Sequence, residues 1–280
     1  AVTSSSAGGN YYYFFYDIEV EVPCLNITIP SSWDCIGSTC IDPGTGNGTF
    51  SSLAACQANC SSSPFVSTSP ENKNIILEVF TGILASFDPN AHLISQNLHN
   101  ANPNDVFFLN IHEGPYAISQ GLGTDFNTSF GSAIAGQTGL IGYPAGTVNR
   151  HQFTMTQGGG TAMSRVDWPN ASNQLLSQPS PVNVGLQASI DMASNMLTVD
   201  VEVYYTGSQT INSNMLNIAV VQHNVEGPQN GSSGNPSQVL PNGNYNHQHM
   251  LRHMMTGQWG DQITNITQGS LYSNTYTWTM

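Results

Sequence analysis

In "YYYFFYDIEVEVP", Ile18, Val20 and Val22 alternate with Asp17, Glu19 and Glu21, the two-residue period of a strand with one wet face. Tyr11, Tyr13 and Phe15 share a face of the same run, so residues 1–23 read as an N-terminal β-arm. Farther along, "NIILEVFTG" is a continuous apolar run that ends in a turn. "DPNAHLISQNLHNA" puts Ala91, Ile94 and Leu98 on one helical face behind a proline, and "NDVFFLNIHEG" is a second apolar run. Strand, helix and strand within about 45 residues make a βαβ unit with a parallel pair. "GYPAGTVNRHQF" turns into another strand, and "SRVDWPNASNQLLSQ" reads as a second helix. After "PSPVN" the pattern changes. "VGLQASIDMASNMLTVDVEVYYTG" and "NMLNIAVVQHNVEGP" alternate apolar with polar residues, as antiparallel strands of a sandwich do. The expected order is therefore the arm over 1–23, a cysteine-rich module with its linker over 24–68, an α/β domain over 69–180 and an antiparallel β-sandwich over 181–280.

The five cysteines change the picture of the second segment, because all fall between Cys24 and Cys60. Cys35, Cys40, Cys56 and Cys60 form a set of four for which zinc is the competing use. Exported character favours two disulfides, with three pairings open. Cys24 is left over, and a buried thiol is preferred to a bond between chains. "SSSPFVSTSP" is a Ser/Pro linker.

Charge narrows the function further. The 280 residues carry four Lys and Arg against seventeen Asp and Glu, a net charge of -13, and only 8% charged residues where about 25% is usual. With no basic cluster, nucleic acid and anionic membrane surfaces are excluded as partners. No apolar run is long enough for a membrane-spanning helix, so no membrane insertion is expected. A polar surface so poor in ions suits an exported protein covered by glycans or by its own copies. Ala1 reads as the processed start left by a cleaved signal peptide, and N-x-S/T sequons begin at Asn26, Asn47, Asn59, Asn127, Asn170, Asn230 and Asn265.

The ordered set "NIILEVFTG", "DPNAH", "FFLNIHEGPY", "TDFNTSFG" and "GYPAGTVNR", followed by "VVQHNVEGPQ" and "YNHQHMLRHMMTGQWGD", resembles bacterial surface proteins related to the twenty-eight-kilodalton outer-membrane protein. The resemblance covers roughly residues 72–265 and implies a thioredoxin-like domain over 69–180 followed by a C-terminal β-domain. In that family T-G is commonly followed by C-x-x-C-P. Here the matching positions hold Ala85, Ser86, Phe87, Asp88 and Pro89, without a thiol. Pro144 resembles the cis-proline facing the redox site of thioredoxin folds. Thiol exchange needs a thiolate and a resolving thiol, so this chain cannot run it there.

Two groups are candidate ligands for a divalent metal, calcium or zinc. Asp88 and His92 lie four apart at a helix start, with His112 and Glu113 ending the neighbouring strand. His247 and His249 are alternate residues of a strand, and His223 completes a set if its strand lies alongside. Asp88 before Pro89 also fits a helix cap, and "IDPGTGNGTF", with Asp42, reads as a glycine-rich turn rather than a calcium loop. No serine-hydrolase elbow, phosphate loop or zinc-protease motif occurs.

The function expected from these features is non-enzymatic: an extracellular or cell-surface structural protein whose copies assemble into a filament, tube or lattice, with Tyr11, Tyr13, Phe15, Ile18, Val20 and Val22 on an adjacent copy. The alternatives are a monomeric adhesin or carbohydrate-binding module using Trp259 and Trp278, and a metal-dependent hydrolase at Asp88, His92 and His112.

Overall fold

The structure, a computed structural model, describes residues 30–36, 39–60, 64–118 and 125–280. The arm residues Tyr11 to Val22, Cys24 and Asn26 lie outside the described residues. Contacts divide the chain between Ser63 and Pro64 into two compact units.

In the first unit, β1 (Asp34–Ile36) pairs antiparallel with β2 (Thr39–Ile41), placing Cys35 opposite Cys40. Helix α1 (Leu53–Asn59) starts at Ser52, whose side chain accepts from the Ala55 amide at 3.1 Å. Of the three possible pairings, the structure has Cys35–Cys60 and Cys40–Cys56, with Cα separations of 5.4 and 6.0 Å. These bonds staple the helix to the hairpin in a segment too short to bury a substantial core. Asp42 accepts from the Gly44 amide at 2.8 Å, an Asx turn.

The second unit begins with β3 (Glu71–Asn72) and β4 (Ile75–Thr81), then α2 (Asp88–Ala101), β5 (Val106–His112) and α3 (Ser129–Ala135). Next come β6 (Ala145–Val148), β7 (Met163–Ser164) and α4 (Trp168–Leu176). After β8 (Pro179–Ser180) the chain is almost wholly strand: β9 (Val182–Asp191), β10 (Met196–Tyr205), β11 (Asn214–Leu216), β12 (Ala219–Gln222) and β13 (Val225–Gly227). The last are β14 (Tyr245–His247), β15 (Met250–Met254), β16 (Asp261–Ile263) and β17 (Leu271–Thr279).

A six-stranded sheet runs in the order β12-β15-β5-β4-β6-β7. Strands β4 and β5 are parallel, in register from Ile75 opposite Val106 to Thr81 opposite His112, while β6 is antiparallel to β4. Both central strands are apolar runs because the sheet is covered on both faces. On one face Ile75, Leu77 and Val79 pack with Ala91 of α2 and with Trp168, Ala171 and Leu175 of α4. On the other, Phe80 and Ile111 pack with Ile134 of α3 and with Leu251 and Met254 of β15. The Tyr143–Pro144 bond leading into β6 is cis.

The C-terminal half departs from the expected separate sandwich. Strands β9, β10 and β17 form a three-stranded antiparallel sheet, but β12 and β15 leave it and extend the six-stranded sheet. Asn110 of β5 donates to the His249 carbonyl at 2.7 Å, at the parallel β5–β15 junction. Residues 64–280 therefore share one compact unit, and the expected break near residue 180 is only the short β8. Alternation tells which face of a strand is wet but not which strand it pairs with.

Candidate functional site

The position where a redox pair would stand follows β4. Its last residue, Thr81, is buried, and Gly82 is a glycine because a Cβ there would run into the backbone of Tyr116 and Ala117. Asp88 is the first residue of α2, and it does not cap that helix as the sequence suggested. Its carboxylate turns back, Oδ2 accepting from the Gly82 amide at 2.5 Å and from the Thr81 hydroxyl at 2.7 Å.

One turn later His92 joins the same hydroxyl, with Nε2 2.9 Å from Thr81 Oγ1 and Nδ1 3.1 Å from the Tyr245 hydroxyl, which also lies 3.3 Å from Asn235 Nδ2. These partners assign the protons. Asn235 donates to Tyr245, Tyr245 to His92 Nδ1, His92 Nε2–H to Thr81, and Thr81 to Asp88. The wire links the start of α2 to a segment about 150 residues away in sequence and fixes both.

Burial pushes the Asp88 carboxyl up to about 7 and the His92 imidazole down to about 3. His112 and His247 sit beside this wire with ring centroids 5.2 Å apart and edges against Phe126. Burial holds His112 well below the ordinary value and His247 down at about 4. His247 Nε2 reaches the Pro228 carbonyl at 3.2 Å, while His247 Nδ1, both His112 nitrogens and Asp88 Oδ1 have no hydrogen-bond partner among the described residues.

These groups set a pH dependence. The three buried histidines have folded values below their unfolded value of about 6.5. They stabilise the fold above that value and lose this contribution as pH falls towards about 4 and 3. Asp88 has the opposite sign, because its raised folded value favours the fold at low pH and loses that contribution as pH rises through about 7. His249, also pushed down to about 4 by burial, adds to the histidines, and Glu113, whose carboxyl burial raises, sides with Asp88. The histidines outnumber the two carboxyls, so thermal melts are expected to show the midpoint falling between pH 6.5 and pH 4. His92→Gln is expected to flatten that slope; an unchanged slope would remove His92 from the account.

The site is shut by the segment after β13. The Asn230 amide donates to the Ile83 carbonyl at 2.8 Å, and Asn230 Nδ2 to the Leu84 carbonyl at 3.1 Å. Gln229 Nε2 donates towards Gly82 and Ala85 carbonyls at 3.3 and 3.2 Å. Gly231, at φ +66, lies so close to Ser86 that a Cβ would collide with its carbonyl oxygen. Beside His92 a cavity of about 10 Å³ remains, the lower limit for one water.

The metal sets expected from sequence are rearranged. His247 and His249 do not chelate together, because β14 ends at His247 and His249 takes φ +50, so the two-residue period is broken between them. His247 turns to His112, while the His249 ring lies tilted against Phe108, with centroids 4.0 Å apart, and edge-on to His223 at 4.2 Å. Asp88 and His92 meet through Thr81, and His112 stands apart from that link against Phe126. Among the described residues only Cys40, Cys56 and Cys60 bring three ligand atoms within 4.8 Å, and their sulfurs are spent in disulfides. Among the described residues, the side chains singled out in the sequence do not converge on one point as ligands to calcium or zinc.

Of the sequons, Asn47, Asn59, Asn170, Asn230 and Asn265 are exposed and Asn127 is half-buried. Trp259 is exposed, whereas Trp278 stacks on His253 at 4.5 Å. The sequence did not single out Thr81, Tyr245, Asn235 or Gln229. Thr81 alone had a visible signal, its place in the T-G pair.

The family model described as "Outer membrane protein Omp28" matches residues 132–280. HBP35 of Porphyromonas gingivalis superposes with a TM-score of 0.58 at 19% identity, over 75% of this chain and 65% of that one. The chain thus spans just under two thirds of that relative's length, and the likeness is one of fold. A protein of Agrobacterium tumefaciens aligns at 12% identity with a TM-score of 0.46, covering 74% of this chain and 80% of that one. No curated protein matches.

Proposed function

Because the chain belongs to the Omp28 family of outer-membrane proteins, we propose that it is an exported, non-enzymatic surface subunit whose copies assemble into an extracellular filament, tube or lattice. The observation that carries this reading is the closed site. The positions of a thiol pair hold Ala85 and Asp88, and Gln229 to Gly231 lie over them. Catalysis needs a reacting atom to reach its partner, and among the described residues Ala85 and Asp88 are buried under the bonds of Gln229 and Asn230.

Other features support the finer parts of the reading. The order β5-β4-β6-β7, with α2 following β4 and a cis-proline before β6, fits a thioredoxin-like domain over 69–180. Such a fold hosts many functions, so the site decides, and here the former reaction centre serves as a buried polar joint. The outer-membrane family supports a cell-surface address. Among the described residues no helix is long and apolar enough to cross a membrane.

Size tests the proposal. Light scattering of the purified chain is expected to give a mass that rises with concentration to many copies. A single-copy mass at every concentration up to millimolar would favour the monomeric adhesin instead.

A further inference from the structure

Among the described residues, strand β9 is an edge strand whose apolar side is open. Among the described residues it pairs only with β10, and its register sets Val184 opposite Val203, Leu186 opposite Val201 and Ile190 opposite Leu197. On β10 those positions face the core, with Val201 and Val203 buried. Their neighbours on β9 share that face yet are open: Val184 is 59%, Leu186 55% and Ile190 50% exposed. The opposite face near Gly185 is occupied, since Asn183 donates to the Ser67 and Ser69 carbonyls and Glu202 accepts from the Val66 amide. A groove of about 490 Å³ is lined by Val184 and Val203 together with Met215 and Ile263. An exposed edge beside an apolar groove is a template for one more strand.

We infer that this groove and the β9 edge receive the Ile18, Val20 and Val22 face of the N-terminal arm of a second copy, an inference that rests on the assembly reading above. Three observations choose this occupant. The arm has the matching period, with apolar residues at every second position to set against Val184, Leu186 and Ile190. Its other side carries Asp17, Glu19 and Glu21, and the groove lining includes Lys73, which bonds Gln178 and has no carboxylate partner among the described residues. In a chain with four cations, that is a specific complement to an acidic strand. Residues 1–29 precede the described part, and extended chain of that length reaches about 95 Å, enough to cross to a neighbour.

The test places a photo-activated benzoylphenylalanine at Val20 in the full chain. Light and heavy isotope-labelled copies are mixed before assembly and the cross-linked peptides are read by mass spectrometry. Peptides joining a light arm to heavy residues 182–190 or 214–216 are the expected result. Cross-links confined to chains of one label would mean that the arm folds back on its own copy, and would overturn the inference. Links to another surface, in material that sediments as polymer, would overturn the acceptor while leaving the assembly reading standing; material that stays monomeric would sink both. In the full chain, Leu186→Glu is expected to weaken association roughly tenfold or more. Gln187→Glu, on the other face of the same strand, is expected to leave it unchanged, and equal losses in both would count against the groove.

Discussion

Replacing Trp168 with alanine is expected to destabilise the chain by about 3–5 kcal/mol, read as a lower urea midpoint with an unchanged slope. Trp168 is fully buried at the start of α4 and packs among Ile75, Leu77, Val148 and Met163. Its ring lies on β6 because residue 146 is glycine. A Cβ there would come within 2.9 Å of Trp168 Cζ2 and 2.7 Å of the Glu78 carbonyl. Alanine would leave a hole that this close-packed layer can fill only in part. Trp168 Nε1 has no hydrogen-bond partner among the described residues, so Trp168→Phe is expected to cost much less, about 1 kcal/mol. Equal losses for the two variants would show that the indole does more than fill space.

The second large effect concerns Glu78, on the same strand that ends in Thr81. Arg150 grips it with both ends of its guanidinium, Nε to Oε2 at 2.8 Å and Nη2 to Oε1 at 2.6 Å, while Thr147 adds a bond at 3.0 Å. The Glu78 side chain is 6% exposed and that of Arg150 38%. Arg150→Met would strand a carboxylate inside the sheet, with an expected cost of about 3 kcal/mol, the low end for a pair with one partner half open to water. Adding Glu78→Gln removes the stranded charge and is expected to recover most of that loss. If the double variant is as unstable as the single, the loss comes from the arginine's packing rather than from the unpaired charge.

Within residues 75–176 the two central strands, helices α2 and α4 and the strand after Pro144 were legible because each is written locally, while α3 and the short β7 were not. The apolar runs at Ile75 and Val106 are buried on both faces, and the helix starting at Asp88 announces itself by proline and a periodic face. What the sequence hid was set by distant partners. Asp88 has the composition of a cap, yet the Gly82 amide and Thr81 hydroxyl hold its carboxylate inside. His247 and His249 look like two teeth of one strand until the positive φ of His249 turns them apart. Residues 228–235, "PQNGSSGN", have no period and gave no signal, although their hydrogen bonds cover the start of α2. The missing thiols were plain from the aligned motif; that the vacant site is also sealed was not.

The proposed role is that of a building block in a surface polymer, with the vacant thiol position buried as a polar joint. Electron micrographs of the native material, released from cells without refolding, test this most directly. Repeating particles in which one copy of this chain contacts the next are the expected result. Isolated single copies throughout the field, at the concentration found on the cell, would contradict it.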